Sequence, residues 1–274
     1  MRRRTFISLA PASLLRCQGR SEWDEPFPPH RIADNLFYVG TKGLSSYLVT
    51  TREGLILINS SFERTVPKIR KSIGELGFTY AQVRILLGSH AHGDHMDGNF
   101  LVKEQTGAAV YVMKGDDDVI RAGRGVGMTK PCVVDKVLRD GDQVMIGGAV
   151  LTAVLTPGHT KGCTTWTMRV RDESASYLAV IVGSPNVNPG YVLVNNREYP
   201  EIAEDFAKSF RVWKSLPCDI FLGAHGDYYG MAIKYKRSKQ NPEVNVWVDP
   251  EGYKAYINER EQAYLAELKT QRGG

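Results

Sequence analysis

A chain of 274 residues, 42% hydrophobic and 24% charged, is long enough to bury a sizeable core and has the balance of a globular protein. Its formal charge of +5 owes four units to Arg2, Arg3, Arg4 and Arg16; without them the remainder is +1, which argues against a basic nucleic-acid surface. Its four cysteines include no CxxC or CxxxC spacing, so a cysteine-rich zinc module is excluded, and Cys132, Cys163 and Cys218 read as isolated buried thiols.

The N-terminus places an arginine cluster before a mostly apolar run from Phe6 to Leu15, too short for the ~20 residues that span a bilayer but suited to the core of a signal peptide. Arg3-Arg4-Thr5-Phe6-Ile7 resembles the twin-arginine export signal, so residues 1–19 are expected to be a leader and the rest, 20–274, one domain in the periplasm. Arg16 before Cys17 is too bulky for a lipidation site, and no stable membrane anchor is expected. Residues 20–30 are turn-rich and read as an extended arm. The runs "NLFYVG", "SYLVT" and "GLILINS" then read as a β-meander.

Val66, Ile69, Ile73 and Leu76 fall at helical spacing, with Gly77 placed to end that helix. "VRILLGS" reads as a buried strand that runs into "HAHGDH", followed by a helix near 97–106 and a strand at "AVYVM". Asp116, Asp117 and Asp118 open a short helix, where acids commonly serve as caps and dipole partners, and are given no chemistry. The glycine-rich loop from Arg121 to Pro131 is expected to be mobile and to influence substrate preference. From Val137 to Gly183 the texture is β, and helices return at "YPEIAEDFAKSFRVWKSL" and "DPEGYKAYINEREQAYLAELK", the latter with Asp249 as N-cap. Strands then helices, twice over, suggest two sheets with helices outside.

The chain has six histidines, and three of them, His90, His92 and His95, fall within six positions. His159 in "TPGHTKG" and His225 in "LGAHGDYYG" each follow a β-like run, so five of the six sit in loops at strand ends, where rigid scaffolds place site residues. His30, in the proline-rich arm, reads as an ordinary structural residue. On extended backbone, residues i and i+2 project to one side, so His90 and His92 can grip one cation while Asp94 and His95 face a second. Imidazole and carboxylate donors without thiolate suit zinc, and three protein ligands leave a position open, which is catalytic rather than structural in character.

"HAHGDH", "TPGHT" and "GAH" together resemble the ligand motifs of the metallo-β-lactamase superfamily, over about residues 33–270. The resemblance implies an α/β fold of the αββα sandwich type, two mixed sheets with helices on both outer faces. It implies two zinc ions per chain, the first held by His90, His92 and His159 and the second by Asp94, His95 and His225. Glyoxalases and lactonases of this fold carry a metal-bridging aspartate after the strand "SYLAVIVG", and lactamases of the first two subclasses a cysteine. Here that position is Ser184, as in the third subclass of class B β-lactamases, which "NPGYVLVNN" and "LPCDIFLGAH" also resemble.

The function so implied is hydrolysis of the β-lactam ring by a zinc-activated hydroxide that Asp94 orients as the catalytic residue, with Ser184 and Asn186 as substrate-binding residues. The expected partner is a small-molecule β-lactam, a penicillin, cephalosporin or carbapenem, with no nucleic acid and a monomeric state favoured. Alternatives are another hydrolase of the superfamily, such as a lactonase, or a non-catalytic metal-binding protein. Three departures stand out: Asn59 replaces the family's usual aspartate, Ser184-Pro185-Asn186 lacks the two-serine pattern that holds the drug carboxylate in relatives, and no cysteine is placed to pair with Cys218.

Overall fold

The first half of the chain builds a seven-stranded sheet and the second half a five-stranded sheet, in a computed structural model that describes residues 20–172 and 175–273. The expected leader, residues 1–19, lies outside the described residues.

Strands β1 (His30–Ala33), β2 (Leu36–Tyr38), β3 (Tyr47–Thr51) and β4 (Gly54–Ile58) form an antiparallel meander. Helix α1 (Val66–Glu75) then crosses to β5 (Val83–Leu87), which runs parallel to β4. The chain continues through α2 (Gly93–Met96), α3 (Asn99–Thr106), β6 (Ala109–Met113), α4 (Asp117–Ala122) and β7 (Lys136–Leu138), with β5, β6 and β7 parallel. In the second sheet β8 (Gln143–Ile146), β9 (Ala149–Leu155), β10 (Thr164–Asp172) and β11 (Ala175–Val182) are antiparallel. Helix α5 (Ile202–Ser215) returns the chain to β12 (Ile220–Gly223), parallel to β11, and α6 (Met231–Gln240) and α7 (Pro250–Gln271) complete it.

Alternation along the strands builds the layers. In β3 and β4, Tyr47, Val49, Ile56 and Ile58 face the second sheet and pack with Leu151, Ala153, Trp166 and Met168, while Leu48, Leu55 and Leu57 face Val66, Ile69 and Ile73 of α1. β4 is buried along its whole length, as a strand covered on both faces should be, which explains its unbroken apolar "LILI". Phe206, Phe210 and Trp213 of α5 and Ile257, Tyr264 and Leu268 of α7 cover the outer side of the second sheet. The expected αββα sandwich of two mixed sheets is the observed fold.

Asp249 caps α7 as expected, its carboxylate accepting from Gly252 N at 2.9 Å. Helix α6 carried no legible signal because only Met231 and Lys234 of it are buried, so it shows no apolar stripe. Residues 20–30 are more than an extended arm. A 3-10 turn over Arg20–Trp23 lets Glu22 O accept from Gly43 N and Trp23 O accept from Thr41 Oγ1, strapping the arm onto the loop after β2. Cys132, Cys163 and Cys218 are free and buried, as expected. Among the described residues no helix is long and apolar enough to cross a membrane.

Candidate metal centre

The ends of β4, β5, β9 and β12 meet at one edge of the sandwich, where hydrogen bonds lock the two sheets together. Past the end of β5, Gly88 O accepts from Trp166 Nε1 at 3.0 Å and Ser89 O from Thr164 N at 2.7 Å. Ser89 N donates to Asn59 Oδ1 at 2.8 Å, and Asn59 Nδ2 donates to Ser45 O at 3.2 Å. Asn59 sits at φ 64, a left-handed conformation that asparagine tolerates better than most residues. The amide therefore supports the backbone just before His90 through an oxygen acceptor.

His92 keeps extended backbone (φ −113, ψ 154) before the chain turns into the short α2, which carries Asp94 and His95. Gly93 is required at this turn: a Cβ would lie 2.0 Å from Gly127 O, because the Arg121–Pro131 loop packs directly on the motif. That loop is tied down. Gly93 N donates to Val126 O at 2.7 Å, and Asp97 Oδ1 accepts from Thr129 N and Oγ1 at 2.6 and 2.7 Å. His159 follows β9 and sets its Nδ1 2.7 Å from Asn186 O, so this nitrogen is the donor and Nε2 keeps its lone pair. His225 follows β12, where Tyr47 Oη donates to Gly223 O at 2.7 Å and Gly226 N donates to Gly43 O at 3.2 Å.

The fold brings the five strand-end histidines and Asp94 together. The donor atoms of His90, His92 and His159 lie within 4.8 Å of one another. In the other group, Asp94 Oδ2 is 3.2 Å from His95 Nε2 and 3.5 Å from His225 Nε2, while His95 and His225 present Nε2 to Nε2 at 3.1 Å. The two groups overlap at His90, whose donor atom also lies within 4.8 Å of those of Asp94 and His95, with the His90 and His95 rings 4.2 Å apart. His30 stands outside, stacked between Tyr38 and Trp247.

Burial dominates the electrostatics. It lowers the pKa of His92 and His225 to about 4 and of His159 to about 3, and that of His90 well below the usual value, with repulsion among the rings adding to it. These imidazoles are therefore neutral at pH 7 and offer lone pairs. Burial opposes ionisation of Asp94, but His95, through charge and a hydrogen bond, outweighs it and holds the carboxyl below its usual range, with His225 and His92 adding to this once they are protonated. Neutral nitrogens with one anionic oxygen fit a borderline divalent cation such as zinc.

Ser184 is buried at the end of β11, its Oγ 3.3 Å from Tyr228 Oη, and Asn186 Nδ2 donates to the same phenol oxygen at 2.8 Å. Arg260 of α7 reaches Asn186 Oδ1 at 3.4 Å. Sequence reasoning passed over Tyr228, Arg260 and Trp23, whose ring lies 5.9 Å from that of His225. It also misread Asp116. At the N-cap position of α4 this residue makes no side-chain capping bond. Instead its buried carboxylate accepts from Ala91 N, Thr160 Oγ1 and Gly162 N, all at 2.8 Å. The available signal was the one used for the histidines, a polar residue in a loop just beyond a strand end.

The family description "Metallo-beta-lactamase superfamily" matches residues 39–171. Among solved structures, the native FEZ-1 metallo-beta-lactamase from Legionella gormanii superposes with a TM-score of 0.89 at 49% identity, covering 92% of this chain and 99% of that one. BJP-1, a subclass B3 metallo-beta-lactamase of Bradyrhizobium japonicum, gives 0.87 at 30% identity, covering 92% and 98%. A hydroxyacylglutathione hydrolase of Hyphomonas neptunium is 26% identical over 63% of this chain, which spans only 57% of that relative's length. Similarity this high over nearly whole chains, on top of the matching motifs and fold, means that the chain belongs to the metallo-beta-lactamase superfamily.

Proposed function

We propose that this protein is a zinc-dependent hydrolase that opens the β-lactam ring of penicillins and cephalosporins, extending to carbapenems, with two zinc ions per chain. The observation that carries this reading over the thioester hydrolysis named by the curated relative is at the end of β11. There the residue is Ser184, neutral and turned to Tyr228, and the second donor group is made up instead by His95 meeting Asp94 and His225. The near-complete similarity to enzymes named as metallo-beta-lactamases supports the same choice.

In the first set His90, His92 and His159 would hold one ion, and in the second Asp94, His95 and His225 the other. Bound zinc supplies Lewis acidity and acidifies water. Asp94, its carboxyl held below the usual range chiefly by His95, accepts a hydrogen bond from the attacking water and aims it at the ring carbonyl. His159 is held in its ligating tautomer by Asn186 O. Asn186 with Arg260 offers donors to the substrate carboxylate, and Ser184 acts on the same end of the substrate through Tyr228. No serine has a lysine three residues on, so the S-x-x-K nucleophile of serine β-lactamases is absent, in keeping with hydrolysis without an acyl-enzyme.

Export by the twin-arginine route to the periplasm, where the targets of β-lactams are assembled, belongs to the same proposal and rests on Arg3-Arg4-Thr5-Phe6-Ile7. The test is a panel of penicillins, cephalosporins, carbapenems, acyl-homoserine lactones and a glutathione thioester offered to zinc-loaded protein. The proposal expects kcat/KM for a penicillin at least 100-fold above that for the lactone and the thioester; the reverse order overturns it.

A further inference from the structure

Asp116 is a buried carboxylate with no cation paired to it among the described residues. Its side chain lies within a residue that is 2% exposed, and the nearest lysine in sequence, Lys114, pairs with Asp117 and Asp118 instead. What compensates the carboxylate is a set of three donors. Oδ2 accepts from Ala91 N and Thr160 Oγ1, and Oδ1 accepts from Gly162 N. The places of these donors in the chain are informative. Ala91 stands between His90 and His92, and Thr160 follows His159 directly. One carboxylate thus ties together the two loops, one from each sheet, that carry the whole first donor set.

The packing around it is backbone against backbone. A Cβ on Gly162 would sit 2.6 Å from Asp116 N and 2.8 Å from its Cβ, and one on Gly115 would sit 2.9 Å from the carbonyl carbon of Lys161. Both glycines keep the His159 loop pressed onto the end of β6. The second donor set is held by other means, namely Tyr47 on Gly223 and backbone bonds from the Gly43–Ser45 loop to Ala224 and Gly226.

We propose that the Asp116 carboxylate is the positioning group of the first donor set, and that by fixing the His90–His92 and His159 loops against each other it sets how tightly that set holds a metal ion. A carboxylate is needed because all three partners are donors. The isosteric amide turns an NH2 group towards one of them, replacing an attraction with a clash of like dipoles. Supporting groups behind metal ligands typically change affinity by about 10–100-fold when removed.

The inference rests on the partition of donors proposed above, not on the substrate, so its test uses zinc alone. Zinc affinity is measured by competition with a chromophoric chelator in two backgrounds. His225→Ala leaves only the first set complete, and His159→Ala leaves only the second. Asp116→Asn is expected to weaken the single ion by about 10–100-fold in the His225→Ala background and by less than about threefold in the His159→Ala background. A folded Asp116→Asn variant with equal effects in both, or none in the first, overturns the proposal. If Asp116→Asn does not fold, Thr160→Val removes one of the three donors and spares the carboxylate. A loss of about threefold or more confined to the His225→Ala background then supports the proposal, and no loss there overturns it. Should the His225→Ala background bind no zinc even with Asp116 intact, the donor partition fails rather than the role of Asp116.

Discussion

The two donor sets differ in what holds them. The first, His90, His92 and His159, is spread over loops from both sheets and secured largely by side chains, with Asp116 beneath both loops and Asn59 under Ser89, while the main-chain carbonyl of Asn186 holds the His159 ring. The second, Asp94, His95 and His225, is secured mainly by main chain. Ser61 N donates to His95 O at 3.0 Å and Ser45 N to Ala224 O at 3.0 Å, and the strapped arm sets Trp23 beside His225. Exposure does not separate the two sets: His92 in the first and Asp94 and His225 in the second are half-buried, while His90, His159 and His95 are buried. The contrast in what holds them can be broken at several points.

The largest effect falls on Asp94, which serves the second set and orients the water. Asp94→Asn is expected to lower kcat by ~10²–10⁴ and to cost the second ion while the first remains, read by steady-state kinetics and metal analysis. Retention of two ions with full kcat would remove Asp94 from both roles. Next, His225→Ala is expected to weaken the second ion by at least about tenfold and leave the first within about threefold, with His159→Ala showing the converse. Equal losses in either variant would show that the six donors act as one shared cluster.

A third effect concerns pH in the metal-free protein. In the unfolded chain these imidazoles take up a proton near 6.5, whereas burial in the folded protein defers this to about 4 for His92 and His225 and about 3 for His159. The unfolded state binds protons first as the pH falls. The stability is therefore complete above about pH 6.5 and is lost progressively as the pH falls towards 4. At roughly 2–4 °C per kcal/mol for a chain of this size, the metal-free Tm is expected to drop on the order of 20 °C across that window. A flat profile would mean that the histidines are not desolvated as the geometry requires. The smallest effect belongs to Ser184, whose neutral hydroxyl is hydrogen-bonded to Tyr228 Oη and Asn186 N. Ser184→Ala is expected to keep two zinc ions and raise KM about threefold to fivefold, the cost of one hydrogen bond, with kcat little changed.

Much of this was legible in the sequence because the signals were local. The i, i+2 spacing of His90 and His92, the alternation in "SYLVT" and "GLILI", and the spacing of Tyr253, Ile257, Tyr264 and Leu268 each report a geometry that the chain imposes over a few residues. What was lost depends on distance. Asp116 looks like a helix cap because its neighbours in sequence are acids at a helix start, and its true partners lie 25, 44 and 46 residues away. Tyr47, which holds the His225 strand end from 176 residues away, read only as a core position. Helix α6 was missed because a helix with two buried residues has no apolar period to detect.

The most direct test of the two-set account is to strip the metal from the protein with a chelator, verify its removal, and follow penicillin hydrolysis as zinc is returned. The account predicts no turnover without metal, activity that rises until two zinc ions are bound per chain, and indifference to a clavulanate-type acylating inhibitor throughout. Turnover by verified metal-free protein, or binding that saturates at a single ion, would contradict it.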